Sequence, residues 1–224
     1  MIRTTGFPTA LTGLALGLGL AASACAQGEI NERRETIPAG EITLGLSLYR
    51  PADVDGDLPL IITGHGSAAS PREDVFFYTA NALNLGFAAV SFDKRGTGES
   101  TGEYVRFSVA GSEAQFDDLA ADMVAAIEWG AAQDEINESC IGLFGGSQAG
   151  WIMPLAASRT DLVDFIVVGE GAVATAGQEN VHGGEIQRRR GSESSPDITA
   201  ADIAAADIAA LQNRDIGDAV FLGE

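Results

Sequence analysis

Basic residues are scarce in this chain of 224 residues: 13 Lys and Arg stand against 32 Asp and Glu, which gives a formal net charge of −19 at pH 7. A surface of that charge repels nucleic acid and anionic lipid, so we expect neither as a partner. Cysteine is rare as well, with two residues in the whole chain. One of them, Cys140, falls in an apolar segment typical of a buried strand, where we interpret it as a small hydrophobic residue rather than a disulfide partner.

The apolar, Gly-rich run of residues 10–22 is too short to span a bilayer comfortably. Arg3 is the only charged residue before Glu29, and this arrangement is typical of a secretory signal. We therefore predict that residues 1–26 are a signal peptide and that the protein is periplasmic or extracellular. Two hypotheses for processing remain open: ordinary cleavage in the Ala-Cys-Ala sequence, or a lipoprotein signal in which Cys25 is acylated and anchors the protein to a membrane.

No metal site is expected. Asp53, Asp55 and Asp57 resemble the start of a calcium-binding loop, but the glycine among them falls one position early and no glutamate completes the coordination. A solvated turn is the better interpretation of this acidic stretch.

Short apolar runs alternate with helical patterns after residue 41, and the polar segment of residues 27–40 before them is expected to be irregular. Such runs are typical of strands buried on both faces of a sheet. The alternation predicts one α/β domain, a doubly wound and mostly parallel sheet with its active site at the carboxyl ends of the strands. The core is expected over residues 27–170. The predicted strands are ITLGLSLYRP (42–51), LPLIITG (58–64), FAAVSFD (87–93), CIGLFGG (140–146) and DFIVVGE (164–170).

Ser147 stands at one strand-to-helix junction, in the sequence GGSQA. A nucleophile elbow holds its serine in a strained turn that only small residues can flank, and Gly145 and Ala149 meet that demand. Ala149 departs from the usual glycine by a single methyl group. The alternative is that Ser147 merely caps the following helix. The motif taken alone leaves these two interpretations open.

Two more loops follow predicted strands at the same edge of the sheet. In His65-Gly66-Ser67, the backbone N–H of Ser67 is expected to pair with that of Gln148 as a second oxyanion donor. We interpret His65 as fixing its loop by hydrogen bonds rather than acting in catalysis. In DKRGTGES, Asp93 and Arg95 are expected to bridge the turn by hydrogen bonds.

GHGS, FDKRGTGES and GLFGGSQAG, in this order, resemble the α/β-hydrolase superfamily over residues 40–220. Within it the chain is similar to exported bacterial esterases and to serine-aminopeptidase-like hydrolases that carry a helical cap. The resemblance implies that Ser147 is the nucleophile, that Ser67 and Gln148 are the oxyanion donors, and that no cofactor is needed. It also implies a small acyl or ester substrate, with a serine peptidase or a thioesterase as the alternative activity.

The base is the part that the sequence lacks. A serine hydroxyl needs a histidine to remove its proton, and the resembled family places its acid and its histidine after the serine. His182 follows Ser147, but it lies where the family's cap begins, and we assign residues 171–224 to a partial cap with an Ala-rich helix. Because the chain stops at Glu224, we expect it to lack the last core strands and two triad members. A non-catalytic fragment or binding module is therefore the competing hypothesis.

Overall fold

The computed structural model describes residues 29–108, 111–171 and 178–179. The predicted signal peptide, Cys25, His182 and the predicted cap helix lie outside these residues. The elements in chain order are β1 (Ile30–Ala39), β2 (Ile42–Pro51), β3 (Leu58–Gly64), a short 3-10 helix (Arg72–Val75), α1 (Phe76–Asn84), β4 (Ala88–Phe92), α2 (Ser112–Ala131), β5 (Ile136–Gly146), α3 (Ala149–Ala157) and β6 (Phe165–Gly169).

The six strands form one sheet in the order β1-β2-β4-β3-β5-β6. β2 runs antiparallel to both of its neighbours, whereas β4, β3, β5 and β6 are parallel to one another. β3 therefore lies between two parallel strands at the middle of the sheet, and the loops after β3, β4 and β5 leave it at the same edge. This arrangement confirms the predicted mostly parallel α/β sheet.

Helices cover both faces of the sheet, because successive side chains of each buried strand point in opposite directions. Leu60 and Ile62 of β3 pack in the main core, which also contains side chains of α2 and α3. Ile61, between them, packs on the opposite face with Ala82 of α1. One face of α2 lies in the main core, with the side chains of Phe116, Leu119, Met123 and Ile127.

The expectation that residues 27–40 are irregular is wrong, because β1 occupies most of them. β1 pairs with β2 along its whole length, from Ile30 opposite Pro51 to Ala39 opposite Ile42. The connecting turn has two residues, and Gly40 takes a positive φ of 61° there. β1 is a strand of the sheet edge, and Ile37 is its only buried residue. It therefore lacks the apolar alternation from which strands are recognised in a sequence.

A buried ion pair joins the loops that follow β3 and β4. The guanidinium of Arg72 donates from Nε and Nη2 to the two carboxylate oxygens of Asp93, at 3.1 and 2.7 Å, and its backbone N–H donates to the same carboxylate at 2.8 Å. Arg72 also donates to Ser47 of β2 at 2.9 Å. Burial would raise the pKa of the Asp93 carboxyl, but the hydrogen bonds from Arg72 and from the backbone N–H of Glu99 outweigh burial and lower the pKa.

The prediction that Asp93 and Arg95 bridge the turn holds for Asp93, which accepts a hydrogen bond of 2.8 Å from the backbone N–H of Glu99, and is wrong for Arg95. Arg95 turns the other way and donates to Asp122 of α2 at 2.8 and 2.9 Å. The physical reason is that Asp93 is enclosed and already accepts two guanidinium hydrogen bonds from Arg72, which arrives from a different loop. A sequence does not reveal which of two nearby arginines will reach a buried carboxylate.

Replacing Arg72 by methionine should lower the free energy of unfolding by about 3–5 kcal/mol, because Asp93 is left as a buried charge without its cation. Urea denaturation at neutral pH measures the loss. Arg34→Met is the matched control, since Arg34 is exposed and pairs with Glu32 at the surface, where an ion pair contributes less than about 1 kcal/mol. Equal losses in the two variants would contradict the structural role of the buried pair.

Candidate active site

Ser147 lies in the turn between β5 and α3, with an exposed side chain. Its φ is +55°, a left-handed backbone shared by one other non-glycine residue of the described chain, Glu170. Such a conformation costs free energy at a residue with a Cβ, and the surrounding structure must impose it. The N-cap of α3 is Gln148 and no side chain caps this helix. The interpretation of Ser147 as a helix cap is therefore wrong, and the strained turn predicted from the sequence is present.

Small residues allow this turn to form. A Cβ placed on Gly145 would lie 2.8 Å from the Ala149 methyl and 2.8 Å from the Gly64 carbonyl oxygen. A Cβ on Gly64 would lie 2.7 Å from the same methyl group. Ala149 is fully buried, so its methyl fills the space that two glycines on neighbouring strands leave open. The alanine that departs from the usual glycine is thus accommodated by Gly64 and Gly145.

The loop after β3 faces Ser147. A Cβ placed on Gly66 would lie 3.8 Å from the Ser147 Cβ and 4.0 Å from its Oγ. Ser67 is exposed at this loop, and its carbonyl accepts a hydrogen bond of 2.6 Å from the Tyr104 hydroxyl. Within the described residues, the backbone N–H groups of Ser67 and Gln148 donate to no protein acceptor. Within the described residues, the two backbone donors without protein acceptors thus belong to Gln148, which follows Ser147 in the chain, and to Ser67, which follows Gly66 in the facing loop.

Lys94 connects the two sides of the site. This residue is 3% exposed, and its ammonium donates to the carbonyl oxygens of Gly66 and Ala68, at 2.5 and 3.1 Å, and to Oε1 of Gln148 at 3.0 Å. Burial lowers the pKa of Lys94 to about 8. The role of Lys94, which lies within the DKRGTGES loop, was not predicted from the sequence. Its position next to the end of a buried strand was the available signal.

His65 is buried and uncharged at neutral pH. Burial, and then the positive charge of Lys94, lower the pKa of its imidazole to about 3, and these effects outweigh a hydrogen bond to the backbone of Phe92. Its ring meets the Phe92 ring edge to face at 4.8 Å between centroids. Nε2 has no hydrogen-bond partner within the described chain, so His65 makes no hydrogen bond from this atom to Ser147. The interpretation that His65 fixes its loop is supported by the bond to Phe92.

A cavity of about 220 Å³ adjoins the site. It lies between the loop after β4 and the first turns of α2, with Lys94 in its wall. Its walls include Lys94, Tyr104, Val105, Ala114 and Leu119.

The structure thus brings together the residues that sequence analysis selected at the ends of β3 and β5: His65, Gly66, Ser67, Gly145, Ser147, Gln148 and Ala149. Asp93 and Arg95 stand further back and hold loops in place through Arg72 and Asp122. The contributions of Arg72, Asp122 and Lys94 were missed, because each is defined by a partner that is distant in the chain.

The sheet order, the antiparallel second strand and the strained serine turn after β5 define an α/β-hydrolase fold. The chain belongs to the X-Pro dipeptidyl-peptidase family (S15 family), whose model matches residues 40–216.

Similar proteins agree with this fold. An uncharacterized 31.7 kDa protein of Escherichia coli, from the traX-finO intergenic region, is 35% identical over 127 residues, which are 54% of this chain and 42% of that protein. The crystal structure of the hypothetical protein PA2218 from Pseudomonas aeruginosa is similar with a TM-score of 0.54 and 24% identity, over 74% of this chain and 55% of that chain. A cold-adapted esterase from an Arctic intertidal metagenomic library gives a TM-score of 0.52 and 20% identity, over 71% and 66% of the two chains.

The chain therefore spans about half the length of these first two relatives. Within the described residues, no helix has the length and apolar character needed to cross a membrane. In the same part of the chain, no three His, Cys, Asp or Glu side chains are grouped as metal ligands would be. Cys140 lies in β5 as a free, partly exposed thiol.

The buried, neutral His65 should make stability depend on pH. Unfolded histidine takes up its proton near pH 6.5, whereas folded His65 does so only near pH 3. The unfolded state therefore binds more protons in this range, and the free energy of unfolding falls as the pH drops below 6.5. Between pH 7 and pH 5 the wild type should lose about 2 kcal/mol more than His65→Asn. Parallel pH profiles of the two proteins in urea denaturation would show that His65 is solvated instead.

Proposed function

We propose that this protein is a serine hydrolase that cleaves carboxylic esters or related acyl compounds through an acyl-enzyme at Ser147. The observation that carries the proposal is the strained, exposed serine flanked by two residues whose backbone N–H groups have no acceptor within the described chain. That combination suits acyl transfer. In this reaction a nucleophile attacks a carbonyl carbon, and hydrogen-bond donors stabilise the negative charge that develops on the carbonyl oxygen.

In the proposed mechanism, Ser147 Oγ attacks the carbonyl carbon of the substrate, and the carbonyl oxygen becomes an oxyanion. The N–H groups of Ser67 and Gln148 bind that oxyanion, and Gln148 stands at the positive end of α3. The tetrahedral intermediate then expels the alcohol, which takes up a proton, and leaves an acyl group on Ser147. Attack by water on this ester releases the carboxylic acid and restores the serine.

We propose that the proton of Ser147 passes to a base outside the described residues, since His65 Nε2 is buried and has no hydrogen-bond partner among them. The order of the α/β-hydrolase triad places the acid and the histidine after the nucleophile, and therefore beyond β6. His182 is the histidine that follows Ser147 in this sequence. We propose that it belongs to the cap.

Export is part of the same proposal. The N-terminal segment has the composition of a secretory signal, so we propose that the enzyme acts in the periplasm or outside the cell, either free or held by a lipid on Cys25.

A fluorophosphonate probe tests the nucleophile. The probe should label the wild type at Ser147, and Ser147→Ala should remove the labelling completely because the attacking oxygen is gone. Ser67→Ala is the matched control and should keep labelling within about threefold, because the proposed donor is the backbone N–H and not the side chain. His182→Ala should label like the wild type if His182 belongs to the cap. Absence of Ser147-dependent labelling contradicts the proposed function.

The match to the X-Pro dipeptidyl-peptidase family favours a second candidate, cleavage of a peptide bond after an X-Pro dipeptide. The same nucleophile and oxyanion donors serve esters and amides, so the site alone does not choose between them. Under the ester proposal, kcat/KM for 4-nitrophenyl butyrate should exceed that for Ala-Pro-4-nitroanilide by at least about 100-fold, with both activities lost in Ser147→Ala. Faster release of nitroaniline than of nitrophenol would select the peptidase.

A further inference from the structure

We propose that Lys94 is a positioning residue of the oxyanion site. Its buried ammonium binds and polarises the peptide group between Gly66 and Ser67, and the N–H of that peptide group is one of the two proposed oxyanion donors. This inference rests on the proposed function, because it assigns a purpose to the two backbone donors beside Ser147.

The first argument is the identity of the peptide group. The carbonyl oxygen of Gly66, which lies 2.5 Å from the Lys94 ammonium, belongs to the same planar unit as the N–H of Ser67. The described chain contains no cis peptide bond, so the C=O and the N–H of this unit point in opposite directions. An ammonium on the carbonyl oxygen draws electron density toward that side and makes the N–H on the other side a stronger donor.

The second argument is that Lys94 also holds the other donor residue. Its ammonium donates to Oε1 of Gln148 at 3.0 Å and to the Ala68 carbonyl at 3.1 Å. Gly66 and Ala68 are the two chain neighbours of Ser67, so one charged group holds a carbonyl oxygen before and after Ser67 and, at the same time, the side chain of Gln148. A single lysine therefore connects the two residues that carry the proposed donors.

The third argument is that no carboxylate neutralises this charge within the described chain. Asp93, its neighbour in sequence, is bound by Arg72. Asp118 and Asp122 of α2 pair with Arg95. The remaining titratable groups that face Lys94 are His65, which is neutral, and Tyr104, whose ring centroid lies 5.9 Å from the ammonium. All three ammonium hydrogens are used on the loop and on Gln148, so the full positive charge acts on the oxyanion site.

The charge should be lost at moderately alkaline pH. Burial lowers the pKa of Lys94 to about 8, from an ordinary value of 10.5. Above that pH the neutral amine polarises the Gly66 carbonyl less, so kcat should decline with a midpoint near pH 8. The substrate is bound equally in both states, and KM should therefore change little.

Two variants test the role of the charge. Lys94→Met keeps an unbranched side chain one atom shorter and removes the ammonium. It should lower kcat for 4-nitrophenyl butyrate, and the rate of fluorophosphonate labelling, by about 10- to 100-fold, with KM within about threefold of the wild type. Lys94→Arg keeps a positive charge that does not titrate, so it should restore part of kcat and abolish the alkaline decline. Lys94→Met with wild-type kcat and labelling rate overturns the proposal.

A measurement on the wild type covers the case in which a variant fails to fold. The ¹³C chemical shift of the Gly66 carbonyl should change with pH along a single titration with a midpoint near pH 8, and the Ser147→Ala protein should show the same curve. A carbonyl shift that stays constant through this range overturns the inference. Loss of Ser147-dependent labelling, with the carbonyl titration intact, instead overturns the proposed function, so the two failures are distinguishable.

Discussion

The buried pair of Arg72 and Asp93 is the interaction on which the candidate site depends. It closes the loop after β3 onto the loop after β4 and fastens both to Ser47 of the antiparallel strand β2. Because Asp93 is already bound by Arg72, the adjacent Lys94 pairs with no carboxylate among the described residues and donates to the loop beside Ser147 instead. The Arg72–Asp93 ion pair does not touch the reacting atoms, but it determines where the positive charge of Lys94 lies.

A second constraint is the close approach of β3 and β5 at their carboxyl ends. Gly64 and Gly145 pair directly, and the Ala149 methyl lies over both of them. Side chains at these two positions would push α3 away from the sheet and relax the left-handed backbone of Ser147. The strain at the serine is therefore maintained by packing that extends from one strand to its neighbour and then to the following helix.

Features that depend on neighbouring residues in the chain could be predicted from the sequence. The buried strands, the small residues around Ser147 and the loop at His65 are each encoded within a few consecutive positions, so their geometry could be predicted. Features that depend on a contact with a residue distant in the sequence could not be predicted. β1 is a strand because it pairs with β2. Asp93 binds Arg72 rather than Arg95, which is nearer in the sequence, because burial and backbone geometry favour Arg72. Lys94 was overlooked for the same reason, since its importance lies in three acceptors on other segments.

The polar side chains of β1 make the strand hard to recognise in the sequence, and they also protect the edge of the sheet from pairing with another strand. The strand ends the sheet on one side, and residues 32–35 present Glu, Arg, Arg and Glu in succession, all exposed. A second chain that extended the sheet along this edge would have to bring its backbone against these two acidic and two basic side chains and remove water from them. The charges that hide β1 in the sequence therefore also disfavour association of two molecules through this edge of their sheets.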